Sequence, residues 1–281
     1  MPSLDGPRAK VKRAKSQLIT LQTSFERHFK LYPYSVVVAE FDRKAGHYHL
    51  RIQGGSPSFP DEWSVIIGEI AHNLRSALDL LAWQLALLSK PTPSDDTQFP
   101  IFLIGRTKRQ RLNGNVIPHF WIEKKRVPRY LQSVDRRFWT RIEAFQPYKG
   151  RNGGRHSSLF LLHKLNNTDK HRLITVLATI VSGMRFSGAV GGGAKFKVGM
   201  PIHTNAIVGY VSPLPPDGIK FLNTSTMKIE TQHEMQVNID VTPRICFGDG
   251  CDAVRRLPVI GTLTSISNEV SRIIESFAGD F

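Results

Sequence analysis

The amino-acid sequence predicts an α+β fold: a helical core with an N-terminal β-hairpin, a β-rich C-terminal section and a closing C-terminal helix. Three observations carry this. Apolar residues recur at helical spacing near both ends and through residues 61–88. Two β-branched runs flank the turn-like "RKAG". After Ser182 the chain changes character, to short β-type runs separated by Gly and Pro. A chain of 281 residues can hold one large core or two smaller domains. The change of character divides it into a mainly helical 1–182, carrying the hairpin and a basic segment, and a β-rich 183–281 whose last helix packs back on the core.

Taken in order, residues 8–30 form an amphipathic helix, with Val11, Leu18, Leu21, Phe25 and Phe29 on one face. "YSVVVAEFD" and "GHYHLRIQ" pair as a hairpin. "GGSPSFP" breaks the chain before a helix that starts near Asp61, where an acidic residue suits the dipole. That helix runs to about Leu88 and stops at the proline-bearing "SKPTPSDD". "TQFPIF" is a short extended segment, followed by an irregular basic stretch and a helix over 131–145. Residues 157–165 give a further short helix, and "NNTDKHRLITVLATIV" begins another, capped by Asn167 or Thr168 with Asp169 in its first turn. "GAVGGGAKF" is a Gly-rich connection without the Lys-Ser/Thr ending of a phosphate-binding loop. Strands follow at 195–199, 205–212, 227–231, 234–241 and 244–247. Leu263, Ile266, Val270, Ile273, Ile274 and Phe277 then form the stripe of the closing helix.

Composition excludes several classes. A content of 41% hydrophobic and 22% charged residues is that of an ordinary globular chain. No apolar run reaches the roughly 18–20 residues of a membrane span. The basic start lacks a secretory apolar region, so a cytoplasmic protein is expected and no membrane partner. Cys246 and Cys251 flank a Gly-Asp-Gly turn with no histidine beside them, and are expected to be reduced thiols. There is no G-x-S-x-G elbow and no cysteine near a histidine in sequence, so neither serine nor cysteine hydrolase chemistry has support.

The net charge of +15 is unevenly placed. Between Arg106 and Arg155 stand 14 Lys and Arg against three acidic residues, in "RTKRQR", "EKKRVPR" and "DRRFWTR". Phe120, Trp121, Tyr130, Phe138 and Trp139 interrupt them. A basic surface with aromatic interruptions attracts polyanions through phosphate neutralisation and base stacking. Arg126, Arg129, Arg136 and Arg137 are the binding candidates here. The bland alternative is a solvated face whose aromatics belong to the core.

The stretch "GEIAHNLRSALDLLAWQLALL" is apolar nearly all round, yet it carries His72, Arg75 and Asp79. At 100° per residue Ile67, Ile70, Ala71, Leu74, Ala77, Leu78, Leu81, Leu85 and Leu88 make one apolar face. Val65, Gly68, His72, Arg75, Asp79, Ala82, Trp83 and Ala86 lie opposite, a face expected to be covered rather than solvated. Unpaired burial of Arg75 or Asp79 costs several kcal/mol, so they need partners. They can pair with each other at i,i+4, with His72 one turn away. Asp169, Lys170, His171 and Arg172 in "NNTDKHRL" are the candidates for the other side of a polar seam. Such a seam either fixes helix register or, if open to solvent, frees His72 or His171 as general acid or base with Arg75 or Lys170 stabilising negative charge.

"IAHNLRSALDLLAWQLA", "TQFPIF" and "LHKLNNTDKHRLI", in that order over most of the chain, resemble a family of bacterial proteins with no established activity. Its members share an N-L-R-S-A-L-D helix and an N-x-x-D-K-H-R segment. The resemblance implies that His72, Asn73, Arg75, Asp79, Asp169, Lys170, His171 and Arg172 act as a set. More distantly, the chain resembles HEPN-type ribonucleases, which are helical, cleave RNA without metal, and pair an Arg and a following His across a dimer. That resemblance implies a homodimer, RNA as partner, and a role in defence or stress. Arg75 is the matching arginine, but Leu80 stands where the signature has histidine. Arg151 and His156 have the spacing, inside a glycine-rich loop. On this reading His171, with Arg75 or Arg172, supplies the base and the cation.

Metal-ligand patterns are incomplete. Glu69 and His72 in "EIAH" stand one turn apart, but a carboxylate-bridged site needs a second such pair, and "ETQH" at Glu230 and His233 falls among strands. His47 and His49 in "HYH" share one strand face without evident further ligands. No metal and no cofactor are expected. The leading expectation is a nucleic-acid-interacting protein, in its sharpest form a metal-independent HEPN-like ribonuclease with His72, Arg75, Asp79, His171 and Arg172 as catalytic residues and Asn73, Asp169 and Lys170 in binding. The rival is a non-enzymatic binding or structural protein whose seam sets helix packing. A small-molecule or metal site in the same seam stands third.

Overall fold

The computed structural model describes residues 1–55, 58–102, 111–112, 115–116, 130–149, 154, 156–179, 186–187, 194–196, 202, 206–211, 219–223, 228–232, 238–241 and 243–281. Arg126 and Arg129, most of the basic 106–155 segment, and the glycine-rich stretch before Ala194 lie outside them. The chain is α+β. It forms two compact units, each assembled from separated segments: residues 1–22, 61–175 and 247–281 in the first, 23–60 and 176–246 in the second.

The first unit is built around helix α2 (Asp61–Leu87), with the first part of helix α1 (Asp5–Leu31). It also holds the short helix α3 (Trp139–Ala144), helix α4 (Ser158–Asp169) and the closing helix α5 (Val259–Glu275). Two two-residue strands, β3 (Arg111–Leu112) and β4 (Asn115–Val116), pair with each other. Helices α2, α4 and α5 pack on one another. Ile67, Leu74, Leu78, Leu81 and Leu85 of α2 are fully buried, each contributing roughly 1.5–3 kcal/mol of apolar transfer. Leu263, Ile266, Val270, Ile273, Ile274 and Phe277 are all buried, so the closing stripe faces the core as its spacing requires.

The start of α4 is capped by Ser157, whose hydroxyl accepts from the Phe160 N–H at 3.2 Å. "NNTD" therefore ends a helix rather than beginning one, and Val176–Thr179 beyond it is strand β5. The physical reason is local. β-branched Ile174, Thr175, Val176 and Thr179 favour an extended chain, while Leu159, Leu161, Leu162 and Leu165 hold the preceding turns in the core. The helix expected over 131–145 is shorter: a 3-10 turn at Arg136–Phe138, capped by Asp135, leads into α3.

The second unit is mainly antiparallel sheet. Strands β1 (Tyr34–Asp42) and β2 (His47–Gly54) form the expected hairpin. A six-stranded sheet runs β6-β11-β1-β2-β8-β7, with β6 (Phe186–Ser187), β7 (Ala194–Phe196), β8 (Ile207–Val211) and β11 (Asn238–Val241). Strands β9 (Ile219–Asn223) and β10 (Lys228–Gln232) pair separately, as do β5 and β12 (Arg244–Phe247). On β2, Leu50 and Ile52 are fully buried. Period-two alternation therefore sends His47, His49 and Arg51 to the other face. Cys246 and Cys251 are free, buried thiols.

Candidate functional site

Helix α2 answers the puzzle of its polar residues in two ways along its length. Towards its end, Ala82 and Ala86 are fully buried on the face that carries Asp79. Towards its start that face is covered only in part: Gly68 is buried, but His72 is exposed and Val65 is 46% exposed. The expectation of a face covered along its whole length is thus corrected at Val65 and His72. A single exposed apolar residue such as Val65 costs little.

Arg75 and Asp79 do pair, through Nη2 to Oδ1 at 2.7 Å and Nε to Oδ2 at 3.1 Å. They also hold the segment beyond α2. Arg75 Nη2 donates to the Phe99 carbonyl at 2.7 Å, and Asp79 Oδ1 accepts from the Phe99 N–H at 3.0 Å. The ion pair thus presents an acceptor and a donor to one residue's backbone, as a neighbouring strand would. Gln146 does the same from the other side. Its Oε1 accepts from the Phe102 N–H at 3.0 Å, and its Nε2 donates to the carbonyls of Pro100 at 2.9 Å and Ile142 at 3.2 Å. "TQFPIF" belongs to no strand, and side chains satisfy the backbone of Phe99, Pro100 and Phe102 in place of one.

Burial pushes the Asp79 carboxyl above its ordinary range, against the opposing pull of Arg75, the Phe99 N–H and Lys170. Arg75, with its side chain 13% exposed, is engaged through Nε and Nη2.

Helix α4 supplies the other side of the seam. The Asp169 carboxylate lies against Gly68 of α2 so closely that a Cβ there would fall 1.9 Å from Oδ1. Burial raises the Asp169 carboxyl; His72 opposes this and Glu69 adds to it. His72 Nε2 stands 3.4 Å from the Ser76 hydroxyl. The seam therefore joins His72 and Asp169 electrostatically, and Asp79 with Lys170 in the same way. His171 and Arg172 leave α4 in a turn and are exposed. Asn73 faces elsewhere: it donates to Gln17 Oε1 at 3.0 Å and accepts from Lys10 at 3.3 Å, while Gln17 donates to Glu69. Arg136 and Arg137 are exposed, with Arg137 stacked over Phe138 at 4.6 Å, and Phe138 itself is buried.

Sequence reasoning missed His163. It lies on α4, half-buried, with Asn167 Nδ2 3.0 Å from its Nε2. Burial, then the positive charges of Arg75, Lys164 and Lys170, lower it to about 4. At neutral pH it is an uncharged imidazole inside a cationic field. Its position seven residues before Lys170, on the same helical face, was the available signal. A groove of about 350 Å³ on the same unit adds Arg8, Lys12 and Lys15, with Arg8 paired to Glu275 at 2.6 Å.

No family model matches the chain, and neither a curated protein nor a solved structure matches it.

Proposed function

We propose that this chain binds RNA, or a polyanion of similar charge density, over the face where α4 ends beside α2. The observation that supports this is the cationic field around His163, to which Arg75, Lys164 and Lys170 contribute. Arg75 is neutralised by Asp79, but among the described residues no carboxylate is bonded to Lys164 or Lys170. Arg172, two residues beyond Lys170, is exposed and adds to the positive charge where α4 ends. Phosphates that displace counterions from such a surface gain affinity that falls steeply with salt. Arg75 and Asp79 serve this face as its scaffold, holding Phe99 to α2.

A second reading, metal-independent RNA cleavage, draws support from His163 in particular. A base that takes a 2′-hydroxyl proton must be uncharged, and an imidazole lowered to about 4 is uncharged at neutral pH. An arriving phosphate offsets the surrounding cations and makes that imidazole more basic. With Arg75 engaged, Lys164 and Lys170 are the cations left to stabilise the phosphate's developing charge. His163 then replaces His171 as the base, and the chemistry resembles the HEPN type in parts rather than in signature.

The test is RNA binding and cleavage in EDTA at several salt concentrations, with the wild type, the Lys164→Ala/Lys170→Ala double variant and His163→Gln. Binding should weaken with rising salt and drop by about tenfold or more in the double variant. Loss of cleavage in a folded His163→Gln that still binds supports the second reading. Absence of binding at low salt removes both.

A further inference from the structure

The hairpin of the second unit carries a set of donors that the helical site does not use. His47 and His49 stand two residues apart on β2, on the face opposite buried Leu50 and Ile52. Antiparallel register places Asp42 across from His47, and Tyr210 of β8 across from His49. All four residues therefore share one face of the sheet. The His47 and His49 rings are 5.5 Å apart, and Tyr210 lies against His47 at 4.6 Å with 31° between the ring planes.

One ligand atom each from Asp42, His47 and His49 falls within 4.8 Å of the others. The carboxylate is oriented by its own turn. Asp42 Oδ1 accepts from the N–H groups of Lys44 at 2.9 Å and Ala45 at 3.0 Å, while Oδ2 faces His49 Nε2 at 3.7 Å. That separation is too long for a hydrogen bond. The other nitrogen of the same ring, Nδ1, is buried without a hydrogen-bond partner among the described residues. Among the described residues, neither nitrogen of His49 thus has a hydrogen-bond partner at ordinary length.

We propose that Asp42, His47 and His49 bind a divalent first-row transition ion, Zn²⁺ foremost. Two imidazole nitrogens and one carboxylate oxygen suit such an ion. Ca²⁺ and Mg²⁺ take oxygen ligands, in greater number or with retained water. Donors about 2.0–2.2 Å from a tetrahedral Zn²⁺ stand roughly 3.3–3.6 Å from one another, so binding requires the three to close in from their present spacing of up to 4.8 Å. Hydrogen bonds from the turn to Oδ1 provide the outer support that fixes a ligating carboxylate. Three protein donors leave a coordination position for water or for an oxygen of a small ligand. The same ion ties the last residue of β1 to the first of β2.

The experiment uses the untagged full chain, stripped with chelator and dialysed against micromolar Zn²⁺ or Co²⁺. We expect one equivalent bound, Co²⁺ absorption typical of mixed nitrogen and oxygen ligands, and a metal-dependent rise in Tm. His47→Ala and His49→Ala should each weaken binding at least tenfold, and Asp42→Asn should weaken it as well. His163→Gln, outside this cluster, should leave it unchanged. The proposal is overturned if no ion is retained. It is overturned equally if a His47→Ala/His49→Ala variant, folded by circular dichroism, keeps its equivalent. Should that variant unfold, an unchanged affinity in folded Asp42→Asn would also overturn it.

Discussion

The Asp169 carboxylate occupies the space that any side chain on Gly68 would need. A Cβ at Gly68 would come within 1.9 Å of Oδ1, 2.4 Å of Cγ and 2.7 Å of Oδ2. Glycine here is a matter of close approach between α2 and α4, since its φ is helical. The whole carboxyl group must leave before alanine fits, and it leaves the neighbourhood of His72 in doing so.

Gly68→Ala and Asp169→Ala should accordingly be coupled. In the wild-type background the alanine gains about 1 kcal/mol of helix propensity but forces the carboxyl out, an overpacking that costs roughly 1–3 kcal/mol. In Asp169→Ala the clash is absent and the propensity gain remains. Urea unfolding of the four proteins should give a coupling of about 1 kcal/mol or more. Additive effects would show that the two helices separate without cost.

The segment 99–102 gives a second prediction. Gln146→Ala leaves the Phe102 N–H and the Pro100 carbonyl without the side chain that now satisfies both, and each buried unsatisfied group costs about 1–3 kcal/mol. Arg75→Ala strands Asp79, which is then expected to cost about 2–3 kcal/mol, below the 3–5 of a fully buried pair because Asp79 is part-exposed. Calorimetry should rank both well below the wild type in Tm. If Arg75→Ala were neutral in stability and harmful to RNA binding, the residue would belong to recognition and not to scaffold.

His163 makes stability depend on pH in a defined window. Its folded-state value of about 4 lies below the ordinary 6.5. The unfolded chain therefore binds a proton that the folded chain refuses between those two pH values. Its contribution is fully present above about 6.5 and is lost as pH falls towards 4, by on the order of 2–3 kcal/mol. His163→Gln should flatten that part of the stability profile. A His163 resonance titrating near 6.5 in the folded protein, assigned by its loss in His163→Gln, would contradict the assignment.

Periodicity made α2 and α5 legible, because a buried stripe is written directly in residue spacing. The hairpin was legible for the same reason, at period two. The direction of "NNTDKHR" was not, since Asn, Thr and Asp suit both a helix start and a last turn, and the β-branched run after Arg172 decides between them. The Arg75–Asp79 pair was readable from its i,i+4 spacing, whereas its attachment to Phe99 was not. Nor could spacing show that Asn73 turns to Gln17 and Lys10, away from the seam. Asp42 was missed as the companion of His47 because cross-strand register depends on the length and type of the turn, and "RKAG" alone does not fix that. His163 was hidden inside an apolar run, "FLLHKL", where a lone histidine reads as core.

The bracketing of Phe99 and Phe102 has a kinetic consequence. The side chains that hold their backbone stand 20 to 44 residues away in sequence, on α2 and just beyond α3. Closing loops of that length is favourable only after both anchors are in place. We expect 99–102 to acquire its shape after the helices dock, so that Gln146→Ala chiefly accelerates unfolding and leaves the folding rate nearly unchanged. A segment fastened by distant side chains is, in its history, the last piece to be put in place.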